Sequence, residues 1–239
     1  MQGGKIFDNT IMDEKHVFGP TTTLIHGKFG DAEDEHASHV PPLYETSTYK
    51  IENTEEAEQI ISGSLKKDFY GRRSGPTQRI LERKLCFLEA GEAAQVFDSG
   101  MSAINTLFKS ILASGDEVIA HRNLYGKTCI DLKDLSRFGV TTHFVDARET
   151  QNVLDAITSN TRMVFLESPS NPMLDICDYE AIKHNIVLAG RKDVVVAVEG
   201  PVQIVSRKIG GVQDATFVKL NNELINFLES KKISEYAIS

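Results

Sequence analysis

Hydrophobic and polar positions change character along this chain. Over residues 1–49 they follow neither a helical nor an alternating period, and the stretch carries His16, His26, His36, His39 and the pair Pro41-Pro42. That pattern predicts an extended arm, here taken to residue 60, which needs another surface to lie on. Asn53-Thr54-Glu55-Glu56 then has the make-up of a capped helix start. Pro76-Thr77 opens a helix running to about residue 90, with Ile80, Leu81, Leu85 and Leu88 on one face. A second apolar helix is expected over 101–112. Short β-rich runs at 117–120, 141–145, 162–166 and 194–198 alternate with helical stretches at 125–137, 149–157 and 179–189. This alternation predicts an α/β fold, a mostly parallel sheet with helices on both faces. The expected division is an arm over 1–60, a large ligand-binding domain over 61–203, and a diverged or truncated segment over 204–239. In that last segment Gly210-Gly211 is a break and 222–232 has an amphipathic helical pattern.

Composition narrows the function classes. At 239 residues, 41% of them hydrophobic and 25% charged, the chain can bury a sizeable core. A formal net charge of −8 opposes binding to phosphate backbones and anionic membranes, so neither nucleic acid nor membrane is expected as a partner. No apolar run approaches the roughly 20 residues needed to cross a bilayer, and residues 1–15 are polar with no signal-like core, which points to the cytoplasm. Cys86, Cys129 and Cys177 are odd in number, far apart and in no CxxC spacing, so neither a disulfide framework nor a zinc site is indicated. The arm histidines have irregular spacing, and no metal is expected.

Four segments have the residue types for ligand chemistry. Asp98-Ser99-Gly100-Met101 lies between an apolar run at 93–97 and a helix, the placement of a phosphate-cradling turn: Gly100 permits close backbone approach and Ser99 offers a hydroxyl. A plain helix cap uses the same residues. Tyr70-Gly71-Arg72-Arg73-Ser74-Gly75-Pro76-Thr77 supplies a guanidinium for bidentate phosphate contact and a phenol; a solvated basic loop is the alternative. Leu124-Tyr125-Gly126 follows a strand and sets an aromatic ring at the sheet edge, for stacking on a flat ligand or for core packing. Glu167-Ser168-Pro169-Ser170-Asn171-Pro172 ends a strand with two prolines that hold Asn171 in a loop.

Together these segments, in this order, resemble the pyridoxal-phosphate (PLP) dependent transsulfuration enzymes, the family of the cystathionine synthases and lyases and methionine γ-lyase. The resemblance runs over about 22–198 and takes in His39-Val40-Pro41-Pro42-Leu43-Tyr44 and Phe138-Gly139-Val140. It implies the large domain of an aspartate aminotransferase-like fold. It also implies that Tyr70 and Arg72 reach the cofactor phosphate of a neighbouring subunit, and that Ser99, Gly100 and Met101 hold the phosphate of their own. Tyr125 would stack on the pyridine ring and act as an acid–base partner, Asn171 would bond the phenolic oxygen, and Glu199 would stand where the family's aspartate pairs with the ring nitrogen. A homodimer or homotetramer and a small sulfur amino acid as substrate follow from the same likeness.

The chain departs from that pattern after Glu199. The family's Ser-x-Thr-Lys segment, whose lysine bonds the cofactor, is not found; aligning Asp214 with the preceding aspartate puts Asn222 at the lysine position, and Lys208 and Lys219 stand outside the motif. The family's smaller C-terminal domain, with an arginine for the substrate carboxylate, is expected to be absent. Two functions follow: a C–S lyase or transsulfuration enzyme with PLP binding weakened or lost, or a non-catalytic, degenerate subunit paired with an active full-length homologue.

Overall fold

A computed structural model describes residues 19–27, 29, 38–72, 75–89 and 91–200. The chain divides into two compact units, the first within Met1–Gly91 and the second within Glu92–Ala237. The expected break at 210–211 and helix at 222–232 lie outside the described residues.

The first unit holds helices α1 (Pro20–His26), α2 (Thr54–Ile61) and α3 (Pro76–Leu88). α1 is a turn of structure that periodicity did not indicate in the arm; Pro20 starts it, the position where a missing N–H costs nothing. α2 begins as its residues predict. The Asn53 side chain accepts from the Glu56 N–H at 2.8 Å, and the Glu56 carboxylate reaches back to the Glu52 N–H at 2.6 Å. Arg79 on α3 grips Asp68 with both guanidinium nitrogens, at 2.6 and 2.9 Å. Between α2 and α3 the chain pairs antiparallel with the arm at Thr48 and Tyr70, closed by Tyr49 N–H to Phe69 O and Gly71 N–H to Ser47 O.

The second unit is built on four parallel strands, β1 (Glu117–His121), β2 (Thr141–Val145), β3 (Thr161–Glu167) and β4 (Val195–Glu199), in the order β2-β1-β3-β4. Helices α4 (Gly100–Ile111), α5 (Gly126–Asp134), α6 (Thr150–Ala156) and α7 (Tyr179–Leu188) connect and cover them. The apolar run at 93–97 forms no strand. Successive strand side chains point to opposite faces. On one face Val118, Ala120, Met163, Phe165 and Ala197 pack under α4 (Ile104, Leu107, Phe108, Ile111) and α5 (Leu132). On the other, Ile119, Val164 and Leu166 pack against Val153 of α6 and Ile182 and Ile186 of α7. The fold is therefore the expected parallel sheet with helices on both faces.

A short 3-10 helix, Leu135–Phe138, ends at Gly139, whose φ of +79° turns the chain into β2. A β-carbon there would be strained by that angle and would lie 2.3 Å from the Ser114 hydroxyl, so the position requires glycine. No helix among the described residues is long and apolar enough to cross a membrane.

Candidate active site

Strand order reverses direction at β1 and β3, since β2 lies on one side of β1 and β3 and β4 on the other. In open α/β sheets the crevice at the carboxyl ends of such neighbours is where ligands bind. Six of the sequence-predicted residues, Ser99, Gly100, Met101, Tyr125, Asn171 and Glu199, gather at this edge.

Ser99 caps α4: its Oγ accepts from the Ser102 N–H at 3.2 Å and donates to the Ser102 hydroxyl at 3.0 Å. Gly100 and Met101 are the first two residues of the helix, where backbone N–H groups have no intrahelical acceptor and the helix dipole favours an anion. Tyr125 precedes α5, separated from β1 by Arg122, Asn123 and Leu124, and offers its ring at 44% exposure. No side chain caps α5 at that position. Instead, the Tyr125 N–H donates to Glu167 Oε2 at 2.6 Å. The second oxygen of the same carboxylate, Oε1, accepts from the Asn171 N–H at 3.0 Å. Asn171 itself is exposed.

Glu167 and Glu199 end β3 and β4 and are register partners, so their side chains leave the sheet on one face. Thr128, in the first turn of α5 and fully buried, lies with its hydroxyl 3.4 Å from Glu199 Oε2 and 3.9 Å from Met101 Sδ. That hydroxyl links the α4 N-terminus, the α5 N-terminus and the end of β4. Burial pushes the Glu199 carboxyl up to about 7, and the nearby Glu167 charge pushes the same way against the Thr128 hydrogen bond. Burial also raises Glu167, while the Tyr125 and Asn171 amides act to lower it.

The opposite face holds the loop in place. His121, fully buried at the end of β1, takes the Ala147 N–H on Nδ1 at 3.1 Å, so its Nε2 carries the proton and donates to Asp175 Oδ2 at 3.1 Å. Asn123 donates to the same oxygen at 2.7 Å. Asp175 in turn exchanges backbone and side-chain bonds with the buried Ser170, beside Asn171.

Tyr70 and Arg72 belong to the first unit. Tyr70 sits in the bridge to Thr48, with the Arg72 guanidinium 5.5 Å from its ring centroid, and both are exposed. Glu167, Thr128 and the His121–Asp175 pair were not assigned roles from sequence. Glu167 stood inside a recognised motif, and His121 is a polar residue ending an apolar strand; Thr128 carries no signal of its own.

A helix start with N–H groups free of intrahelical acceptors, an exposed aromatic ring and a half-buried carboxyl gather at one sheet edge, the layout of a ligand-binding α/β unit. The family model for Cys/Met metabolism PLP-dependent enzymes matches residues 21–201, and the chain belongs to that family. It is 36% identical over 170 residues to the L-methionine gamma-lyase of Treponema denticola, covering 71% of this chain and 42% of that protein. It is 37% identical over 158 residues to the cystathionine gamma-lyase of Bacillus subtilis, covering 66% of this chain and 39% of that one. Among solved structures, a putative O-acetylhomoserine (thiol)-lyase from Campylobacter jejuni carrying a pyridoxyl-lysine phosphate superposes with a TM-score of 0.74 at 24% identity, over 89% of this chain and 56% of that chain. The chain thus spans less than half the length of these two curated relatives. Nothing in the comparisons favours a non-catalytic subunit.

Proposed function

We propose that the chain binds PLP at the carboxyl edge of its sheet and serves C–S bond cleavage or exchange in a small sulfur amino acid, in the cytosol, as part of a homo-oligomer. The observation that carries this reading is the Glu199 carboxyl. It is half-buried beside a second carboxylate, with one hydroxyl as its donor and no cation paired with it among the described residues. A protonated ring nitrogen is the group such a site lacks, so the residues present fit the cofactor.

When bound, PLP supplies an electron sink for a carbanion at the substrate's α-carbon. The chain's own residues do the rest. The N–H groups of Gly100 and Met101 and the Ser99 hydroxyl hold the phosphate. Tyr125 would cover the ring and supply a phenol for proton transfer, Asn171 would bond the ring oxygen, and Glu199 would keep the ring nitrogen protonated. Tyr70 and Arg72, exposed in the segment ahead of α3, would serve the phosphate of a second copy. Val40, Leu43 and Tyr44 of the arm expose 77%, 75% and 49% of their surface, which suits burial between copies. The division into an arm (1–60), a PLP-binding domain (61–203) and a C-terminal segment (204–239) belongs to the same proposal.

Residues 1–239 hold no Ser-x-Thr-Lys segment, so the binding proposed rests on the phosphate and ring contacts. Charge-assisted hydrogen bonds of this kind contribute on the order of 1.5–3 kcal/mol each. The test is an absorbance titration and thermal melt with PLP. Concentration-dependent protection is expected, abolished by Arg72→Ala and unchanged by Lys219→Ala, with a dimer or larger by light scattering. No spectral change and no protection at millimolar PLP would overturn the reading.

A further inference from the structure

The site described above contains a group for which the cofactor itself has no use. Glu167 is 5% exposed and ends a strand whose preceding residues, Met163 to Leu166, are buried and apolar. A carboxylate is costly there unless its oxygens are bonded. Both are, and both bonds go to backbone N–H groups of residues that the PLP reading assigns to the ring: Oε2 to Tyr125 and Oε1 to Asn171. These two residues are 46 positions apart in the chain, one opening α5 and the other in the loop after β3.

The N–H of each residue goes to Glu167, while the Tyr125 carbonyl accepts from the Cys129 N–H at 3.0 Å as α5 begins. Tyr125 lacks a side-chain cap, and its φ and ψ of −50° and 133° put it outside the helix it precedes. Asn171 is exposed, and its loop is pinned on either side of it, by the bonds between Ser170 and Asp175. A rigid three-atom carboxylate that takes one N–H on each oxygen sets the separation of the two segments. Because Glu167 is also the register partner of Glu199, the same strand end sets both segments relative to the residue assigned to the ring nitrogen.

We propose that Glu167 is a positioning residue, a carboxylate clip that holds the ring-facing Tyr125 and Asn171 in register with Glu199; this rests on the PLP reading above. It touches no ring atom and transfers no proton. Its effect is to prearrange two contacts whose ordering would otherwise be done at the moment of binding.

The test uses the full chain with Glu167→Gln, which fills the same volume and keeps one acceptor oxygen, and Glu167→Ala, which keeps none. In the unliganded protein, amide hydrogen exchange is expected to quicken at least tenfold at Tyr125 or Asn171 in the Gln variant and at both in the Ala variant, with β1 and β3 amides unchanged. PLP affinity should fall about tenfold in the Gln variant, and the circular dichroism band induced in bound PLP should shrink per molecule bound. Inorganic phosphate, which tests the α4 N-terminus alone, should compete for the site as well as in wild type. Should the Ala variant not fold, the Gln variant decides. Wild-type PLP affinity with an unchanged induced band in Glu167→Gln would overturn the clip while leaving the cofactor reading intact. Equal weakening of PLP and inorganic phosphate would also overturn it, as general damage to the unit. A wild-type chain that binds no PLP removes the cofactor reading first and the positioning role with it.

Discussion

Replacing Glu199 with glutamine should stabilise the protein, increasingly so as pH rises. In the fold its carboxyl is held at about 7 against an ordinary 4.5, by burial and then by the Glu167 charge. Between those values the unfolded chain has released the proton while the folded chain keeps it, so stability falls with rising pH across that window. A displacement of this size corresponds to about 3 kcal/mol at about 1.4 kcal/mol per unit, an upper bound because Glu167 shares the interaction. Glu199→Gln keeps shape and the Thr128 contact and cannot ionise. It should match wild type near pH 4.5 and exceed it by about 1–3 kcal/mol at pH 8, roughly 2–4 °C in Tm per kcal/mol for a unit of this size. Thermal melts of both proteins at pH 4.5, 6, 7 and 8 read this directly. A difference between the two that is the same at every pH would refute the raised, cation-free carboxyl, and with it the observation on which the cofactor reading rests. With PLP added at pH 8 the order should reverse, since the wild-type carboxylate gains a cationic partner that glutamine cannot pair with.

Substitutions at three other positions separate scaffold from site. His121→Ala removes a fully buried ring with both nitrogens bonded and should cost about 2–4 kcal/mol in urea unfolding; a cost under 1 kcal/mol would show that the Asp175 loop is held by other means. Ser99→Ala removes the α4 cap and should lower stability by about 1 kcal/mol, with PLP affinity falling too if the hydroxyl reaches the phosphate. Tyr125→Phe should keep PLP affinity within about twofold, whereas Tyr125→Ala should lose about tenfold through the missing ring face; equal loss in both would assign binding to the phenol instead.

The sheet was legible because strand and helix periods differ and each run here is bounded by turn residues. β2 occupies 141–145 as the alternation predicts, and Asn53 caps α2 through the Glu56 N–H, while the Glu56 carboxylate accepts from the Glu52 N–H one residue before the cap. α1 escaped notice because 7 residues with one buried side chain, Thr23, leave no apolar stripe to read. Site residues with exposed rings or helix-cap chemistry announce themselves, as Ser99 and Tyr125 do. Glu167 does not, because its work is done on backbone N–H groups, which every residue carries and no sequence pattern marks. Thr128 is invisible for a related reason. A threonine in a first helical turn is ordinary, and its significance comes from the end of β4, 71 positions away.

The alternation of strand side chains also explains why chemistry and scaffold are separated here. On β3, Met163 and Phe165 pack beneath α4 and α5, so Glu167, two residues further on, emerges on that same face at the edge where the core ends. Ala197 and Glu199 repeat the relation on β4. On β1 the residue that outlasts the core is His121, which has the parity of Ile119 and so faces α6 and α7, where it ties down the loop through Asp175. A one-residue shift in the register of β3 would exchange these roles, burying Glu167 against the α6/α7 core and removing the N–H acceptor of both ring-facing segments. The paired ends of β3 and β4 at Glu167 and Glu199 are therefore the point where strand register becomes site geometry.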